Sequence, residues 1–282
     1  MPRHCGGWKK QRVVNSMENY MEFAAIYDTL MHDDIDYGAM ADYIQNIFER
    51  QGVSPGLVLD LACGTGSLTS VLAQRGYDMI GVDLSDAMLN VARTKGCNLG
   101  GEAGEEEQNS SGEGACANGA GEILYLCQDM REFELYGTVD AIVCMTDSMN
   151  YITETDDLLQ VFKLAKNYLN PGAPLIFDIN SAHKIRDILG CNTFTHDDEG
   201  VFYVWENEYD EAERLCDFYL TFFVKDGKRY RRFDEMHTER AYEIDEITEY
   251  LKQAGFEHID IYDAYTFEPP KHDSERIVFS AV

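Results

Sequence analysis

The most constraining feature of the sequence is the stretch at residues 58–69, which reads VLDLACGTGSLT. An apolar run containing one acid leads to two glycines, Gly64 and Gly66, and then to a helical pattern. Glycine has no Cβ, so the backbone can turn sharply and approach a ligand, and the amides that begin the helix point at that ligand. The stretch predicts a strand, a binding turn and a helix, and it leaves open whether the ligand carries a phosphate.

Strand and helix patterns alternate on both sides of this turn. Strands are predicted at 57–61, 79–82, 123–126, 139–145 and 174–179. Helices are predicted at 19–30, 37–50, 67–76, 156–169, 182–189 and 244–254, and one more helix begins at 85. This order predicts an α/β fold, a Rossmann-like seven-strand sheet with helices on both faces. The last two strands, 258–264 and 276–282, have no helix between them and are expected to pair antiparallel or lie apart.

Three segments depart from the alternation. Residues 1–16 are basic and predict a flexible tail. Residues 100–122 are rich in Glu and have no bulky apolar side chain, which predicts a disordered acidic insertion at about 97–122. Between 193 and 242 the period changes to two, which predicts a small antiparallel β subdomain with Asp226 and Gly227 as a two-residue hairpin turn. The Rossmann-like domain is then expected to comprise 17–192 and 243–282.

The composition restricts the classes of molecule that the protein is expected to bind. The formal charge of −28 disfavours nucleic acid and anionic lipid, and no window reaches the roughly 18 apolar residues of a membrane span. The eight cysteines form no CxxC pair, which indicates free thiols and a cytoplasmic location. The histidines lack metal-ligand spacing, so we expect no metal site. A monomer and a homodimer both remain open.

Acids follow the predicted strands. Asp83 ends the second strand, where an acid can accept from both ribose hydroxyls of a nucleoside or cap the next helix with Ser85. Asp129 ends the third strand, where it could accept from an adenine amino group. Thr69 stands where a dinucleotide fingerprint has its third glycine, which weakens a nicotinamide interpretation, and no Gly-Lys-Ser/Thr follows as in a Walker A loop.

These glycines and acids together resemble the class I, seven-strand S-adenosylmethionine-dependent methyltransferases. The segment DLACGTG is similar to the first motif of that family, GVDLS to its second-strand acid and CQDMREF to its adenine-side loop. The segment YMEFAAIYDTLMHDDIDY and the late antiparallel insert resemble the branch of glycine N-methyltransferases and amino-sugar N,N-dimethyltransferases. The resemblance implies S-adenosylmethionine as cofactor. It also implies cofactor contacts from Tyr20, Tyr27, Asp60, Ala62, Cys63, Gly64, Gly66, Asp83, Leu84, Gln128, Asp129 and Met130.

The acceptor is expected where the fourth strand ends, at MTDSMNYI. Asp147, Asn150 and Tyr151 are the candidate catalytic residues there, as orienting groups or, for Asp147, as a base, although Asp147 could instead satisfy the turn. The candidate substrate contacts are Tyr37, Tyr203, Trp205, Arg232 and His237. The insert that carries most of them could equally form a dimer or packing surface.

The predicted function is transfer of a methyl group to N or O of a small-molecule acceptor by in-line displacement. The alternatives are a protein or RNA methyltransferase and a catalytically idle cofactor-binding module. A nicotinamide oxidoreductase is a third hypothesis.

Overall fold

The computed structural model describes residues 17–31, 35–98, 120–198 and 200–282. The predicted tail and residues 99–119 of the predicted insertion lie outside the described residues, while Cys97 and Asn98 end a helix and residues 120–122 lead into a strand. In the described part of the chain, every helix is too short or too polar to cross a membrane.

The helices and strands alternate as the sequence predicts. In chain order they are α1 Met17–Met31, α2 Tyr37–Gln51, β1 Leu57–Leu61, α3 Ser67–Gln74, β2 Asp78–Asp83, α4 Asp86–Asn98, β3 Ile123–Cys127, β4 Ala141–Cys144, a 3-10 helix Ser148–Tyr151, α5 Thr155–Tyr168, β5 Leu175–Asn180, a π-helix Lys184–Leu189, β6 Thr193–Asp198, β7 Val201–Asp210, β8 Leu215–Asp226, β9 Arg229–Arg240, α6 Ile244–Ala254, β10 Ile259–Asp263 and β11 Arg276–Ala281.

Seven of the described strands form a main sheet in the order β10-β11-β5-β4-β1-β2-β3. The strands β1 to β5 run parallel, and β11 runs antiparallel to both β10 and β5, so the predicted final pair is antiparallel. The chain builds outward from β1 to β3 and then returns to the other side of β1 with β4. Parallel sheets bind ligands beyond the carboxyl ends of their strands at such a reversal.

Helices cover both faces of the main sheet, because alternate residues of a strand point to opposite sides. On β4, Ile142 and Cys144 pack in the cluster that contains Phe162 of α5, whereas Ala141 and Val143 pack in the cluster that contains Phe48 of α2. The parallel strands are therefore buried on both faces and hold the carboxyl ends of β1 and β4 rigidly side by side.

The remaining four strands form a second, antiparallel sheet in the order β6-β7-β8-β9, which we call the roof sheet. Asp226 pairs with Arg229, so the β8–β9 turn consists of Gly227 and Lys228, one residue later than predicted. Gly227 has a φ of 61°, the left-handed conformation that this first turn position requires. Phe23 of α1 packs with Phe222 and the roof sheet, which ties α1 to that sheet.

Candidate active site

A cleft lies beyond the carboxyl ends of β1, β2 and β4 and beneath the inner face of the roof sheet, and its volume is about 1810 Å³. Pockets that hold one small ligand usually span about 300–1000 Å³. The cleft therefore has room for two small molecules. Its two ends differ in chemistry: we call the part around Asp60, Gly64 and Asp83 the glycine end and the part around Tyr151 and His237 the aromatic end.

The glycine turn is built from left-handed backbone. Ala62, Gly64 and Gly66 have φ values of 61°, 55° and 68°. Ala62, Cys63 and Gly64 line the cleft, and a Cβ on Gly64 would meet nothing within 4 Å. A Cβ on Gly66 would lie 2.4 Å from Tyr125 Oη. Gly66 therefore allows close packing behind the turn, whereas Gly64 is the glycine that leaves room for a ligand.

Asp60 is a buried acid at the end of β1, with 3% of its surface exposed. The Thr69 hydroxyl donates a hydrogen bond to its Oδ2 at 2.5 Å, which explains why Thr occupies the third glycine position. Burial, and to a smaller degree the charge of Asp83, raises the pKa of Asp60 to about 7, and no basic side chain of the described residues lowers it. The carboxyl thus accepts hydrogen bonds from Thr69 and, within the described part of the chain, lacks a cation.

Asp83 has the capping role that the sequence offered, and its ribose role stays a prediction. Its Oδ1 accepts from the Ser85 N–H and its Oδ2 from the Gly64 N–H, each at 2.8 Å, so it begins α4 and holds the glycine turn. Each carboxylate oxygen keeps a further acceptor position for a ligand. Leu84 beside it lines the cleft as an apolar wall, with 67% of its surface exposed.

The loop after β3 completes the glycine end. Gln128, Asp129 and Met130 all line the cleft. Arg131 donates to Asp129 from Nε at 2.9 Å and from Nη2 at 2.5 Å, and this guanidinium holds the pKa of Asp129 below its usual value. A ligand can use only the acceptor positions of Asp129 that Arg131 leaves.

Helix α1 closes over the glycine turn. Its Asp28 accepts from Thr65 Oγ1 at 2.6 Å and from Ser67 Oγ at 3.2 Å, and it pairs with Lys95 Nζ at 2.5 Å. We call these contacts of Asp28 the α1 latch. The Tyr27 side chain lines the cleft from the same helix.

The other predicted tyrosines of this region differ in position. Tyr37 of α2 lines the cleft, and burial raises its pKa to about 12, so its hydroxyl keeps its proton and can donate. Tyr20 lies in α1, and its side chain is outside the described residues.

The aromatic end is formed by the roof sheet. Tyr203, Trp205 and His237 line the cleft from β7 and β9, together with Tyr151. The His237 ring lies 5.8 Å from the rings of both Phe23 and Tyr151. Burial lowers the pKa of His237 to about 4, so the imidazole is neutral near pH 7 and can accept as well as donate a hydrogen bond.

The backbone that follows β4 is strained, and charged side chains hold it in place. Thr146 and Asp147 are consecutive left-handed residues with φ values of 61° and 55°. The Asp147 N–H donates to Asp178 Oδ1 at 2.7 Å, and Arg276 Nη2 lies 2.6 Å from Asp147 Oδ1. Strained backbone of this kind persists where the surroundings hold it and is concentrated at functional sites.

Comparisons with known proteins assign the family. Residues 32–261 match the model of a methyltransferase domain. The protein YqeM of Bacillus subtilis is 33% identical over 93% of this chain and 96% of its own. The crystal structure of an S-adenosylmethionine-dependent methyltransferase from Clostridium acetobutylicum is 37% identical, with a TM-score of 0.79 over 93% of this chain and 98% of its own. The chain belongs to the S-adenosylmethionine-dependent methyltransferases.

The predicted resemblance to amino-sugar enzymes is also confirmed. This methyltransferase is 24% identical to the dTDP-3-amino-3,4,6-trideoxy-alpha-D-glucopyranose N,N-dimethyltransferase of Streptomyces venezuelae, over 56% of this chain and 57% of that enzyme. The enzyme class and the cofactor that the sequence implied are thereby established for this methyltransferase.

Besides Gly66, which packs behind the turn, two described site residues that were predicted for this methyltransferase lie away from the cleft. Asn150 is fully buried, and its side chain bonds to backbone groups only: its Nδ2 donates to the carbonyls of Asn180 and Arg240, and its Oδ1 accepts from the Asn180 N–H. It joins the 3-10 helix to β5 and β9 and does not reach a substrate. Arg232 is 58% exposed and pairs with Asp234 at 2.7 Å on the opposite face of the roof sheet.

The sequence reasoning missed several charged cleft residues of this methyltransferase, among them Lys184, Glu239 and Arg276. These three come from the π-helix, β9 and β11, far from the glycine turn in sequence. The strand sequences RIVFSA and LIFDIN carried a signal for Arg276, because each contains one charged residue in a run that is otherwise nearly apolar. Such a charge needs a partner, and Arg276 and Asp178 are partners, 3.1 Å apart.

Proposed function

We propose that this methyltransferase transfers a methyl group from S-adenosylmethionine to N or O of a small-molecule acceptor in the cleft between the two sheets. The bound cofactor supplies a methyl group on a positively charged sulfur. The observation that carries the proposal is the cleft itself, which has a volume of about 1810 Å³ and two chemically different ends. In-line displacement depends mainly on holding two molecules in the right geometry, and a covered cleft with room for both suits that task.

The glycine end fits the cofactor. Asp60, a buried acid without a cation, would hold the methionyl ammonium. Asp83 would accept from the ribose hydroxyls with its remaining acceptor positions, and Gly64 gives the ligand close access to the backbone. Leu84 and Met130 would cover the faces of the adenine. Acidic side chains in this arrangement suit a sulfonium and an ammonium and would repel a pyrophosphate.

The aromatic end fits an acceptor. The neutral imidazole of His237 and the carboxylate of Asp147 would orient the N–H or O–H of the nucleophile, and Tyr203 and Trp205 offer ring faces for an apolar or sugar-like body. Helix α1 and the roof sheet cover this end, which favours a small molecule over a segment of protein or RNA. The amino-sugar acceptor named for the Streptomyces venezuelae relative is in agreement.

The experiment measures which class of acceptor receives a labelled methyl group. The protein is incubated with cofactor carrying a tritiated methyl group and with separate pools of metabolite amines, phenols, carboxylates, cell protein and RNA. We expect S-adenosylhomocysteine release and label in at least one small-molecule pool. Label confined to protein or RNA would overturn the proposal in favour of a macromolecular acceptor. Cofactor binding without turnover in any pool would favour the idle module.

The control is a variant of the aromatic end. His237→Ala should bind the cofactor as the wild type does and lose turnover with the pool that the wild type labels. Full turnover in this variant would contradict the assignment of the acceptor to the aromatic end.

A further inference from the structure

A second carboxyl group lies beside Asp147 in the wall of the cleft. Glu239 is on the inner face of β9, is 2% exposed and lines the cleft. Its Oε2 accepts from Asn180 Nδ2 at 3.0 Å, and Arg276 Nη2 joins the same cluster by donating to Asn180 Oδ1 at 3.3 Å and to Asp147 Oδ1 at 2.6 Å. This cluster brings the carboxyls of Glu239 and Asp147 together. Two ionised carboxylates repel in a buried site, which favours one shared proton for the pair in the enzyme without ligands.

The surroundings place that proton on Glu239. The charged and polar groups on the elements packed around it are Asp147 beside the 3-10 helix, Asp178 and Asn180 on β5, Lys184 on the π-helix, His237 on β9 and Arg276 on β11. Arg276 Nη2 pairs with Asp147 Oδ1 at 2.6 Å, whereas Glu239 Oε2 accepts from the neutral amide of Asn180 at 3.0 Å. Burial, and then the charge of Asp147, raises the pKa of Glu239 well above its ordinary value.

The two ends of the cleft are close enough to influence one another. Asp60 of β1 pairs with Val143 of β4, and the next residue, Cys144, pairs with Phe177 of β5, which precedes Asp178. Asp60 belongs to the glycine end, and Asp178 accepts from the Asp147 N–H, so neighbouring strands bring the two ends to either side of the end of β4. A cation that binds between them would favour the ionised form of Glu239.

We propose that Glu239 is the proton acceptor of the methyl transfer and that the positive sulfur of the bound cofactor ionises it. The acceptor's lone pair forms the new C–N or C–O bond, and the electron pair of the breaking S–C bond stays on sulfur. The acceptor's proton passes along its contact with Asp147 to Glu239. Because the positive charge leaves sulfur in the same step, the affinity of Glu239 for that proton rises as the proton becomes available.

This inference rests on the proposed placement of the cofactor, and it can be tested without knowing the acceptor. S-adenosylmethionine and S-adenosylhomocysteine share the ammonium, ribose and adenine and differ by the methyl group and the charge on sulfur. Protons released on binding are measured by calorimetry in buffers of low and high ionisation enthalpy, between about pH 6 and pH 9. Release from Asp60 is common to both ligands and cancels in the difference.

We expect S-adenosylmethionine to release more protons than S-adenosylhomocysteine, with a difference that approaches about one per site. Equal release in the wild type would overturn the inference, and this comparison needs no variant. Failure of both ligands to bind would instead contradict the placement of the cofactor.

Variants then identify the group. Glu239→Gln should bind both ligands and lose the difference in proton release. Glu235→Gln is the matched control: Glu235 lies four residues before Glu239 on the same face of β9 and is also 2% exposed, but it does not line the cleft. This control should keep the difference. A difference that survives in Glu239→Gln, or disappears in Glu235→Gln, would assign the proton to another group.

Discussion

Replacing Asp60 with Asn isolates the charge that the glycine end places in a buried position. The native carboxyl has a pKa of about 7, against 3.8 as its ordinary value. At a pH between these two pKa values, the Asp60 carboxyl is ionised in the unfolded chain and protonated in the native protein. The free energy of unfolding therefore falls as pH rises, by about 1.36 kcal/mol per pH unit. The native carboxyl is half-ionised at pH 7, so from pH 5 to pH 7 the wild type without cofactor should lose about 2 kcal/mol that Asp60→Asn keeps.

The assay is urea unfolding of both proteins at pH 5, 6 and 7, with the difference between them plotted against pH. Cofactor binding should show the reverse effect, because the methionyl ammonium favours the ionised carboxylate. Hydrogen bonds to charged groups contribute about 1.5–3 kcal/mol, so Asp60→Asn should weaken S-adenosylmethionine binding by about 10-fold to 150-fold above pH 7. Parallel stability curves for the two proteins, together with equal affinities, would refute this account of Asp60.

Three further changes test other parts of the cleft. Asp83→Ala should weaken cofactor binding by about 100-fold, since it removes the ribose acceptor and releases the glycine turn; unchanged affinity in calorimetry would contradict the ribose assignment. Lys95→Met should break the α1 latch at Asp28 and speed cofactor dissociation several-fold in stopped-flow measurements, with a smaller effect at high salt. Gly66→Ala should lower the free energy of unfolding by about 3 kcal/mol or more, against about 1–2 kcal/mol for Gly172→Ala, which meets open space at a φ of 81°; equal losses would show that Tyr125 is not the obstacle.

The order of elements and the glycine end could be predicted because both depend on local pattern. A buried strand, a left-handed glycine and the start of a helix succeed one another within residues 58–69. Parallel strands bring their carboxyl ends to one edge, so Asp60 and Asp83 had to meet there. The hairpin turn was misplaced by one residue because a single glycine fits either position, and only the pairing of Asp226 with Arg229 decides between them.

The aromatic end could be predicted only in part. Arg232 and His237 are separated by an odd number of positions on one strand, so they cannot face the same side. This parity was available in the sequence and excludes Arg232 from the cleft. The contacts of Glu239 and Arg276 with Asp147 were not available, because they depend on how β9, β11 and the exit of β4 meet in space. A polar loop residue such as Asn150 can serve a substrate or the backbone, and its sequence context is the same in both cases.

A crystal structure of the complex with S-adenosylhomocysteine tests the central claim most directly. The account predicts the ammonium of the ligand beside Asp60, its ribose on Asp83, and its sulfur facing the aromatic end between Asp147 and His237, with open volume there for an acceptor. A ligand bound with its sulfur turned away from that end, or bound outside the cleft, would contradict it.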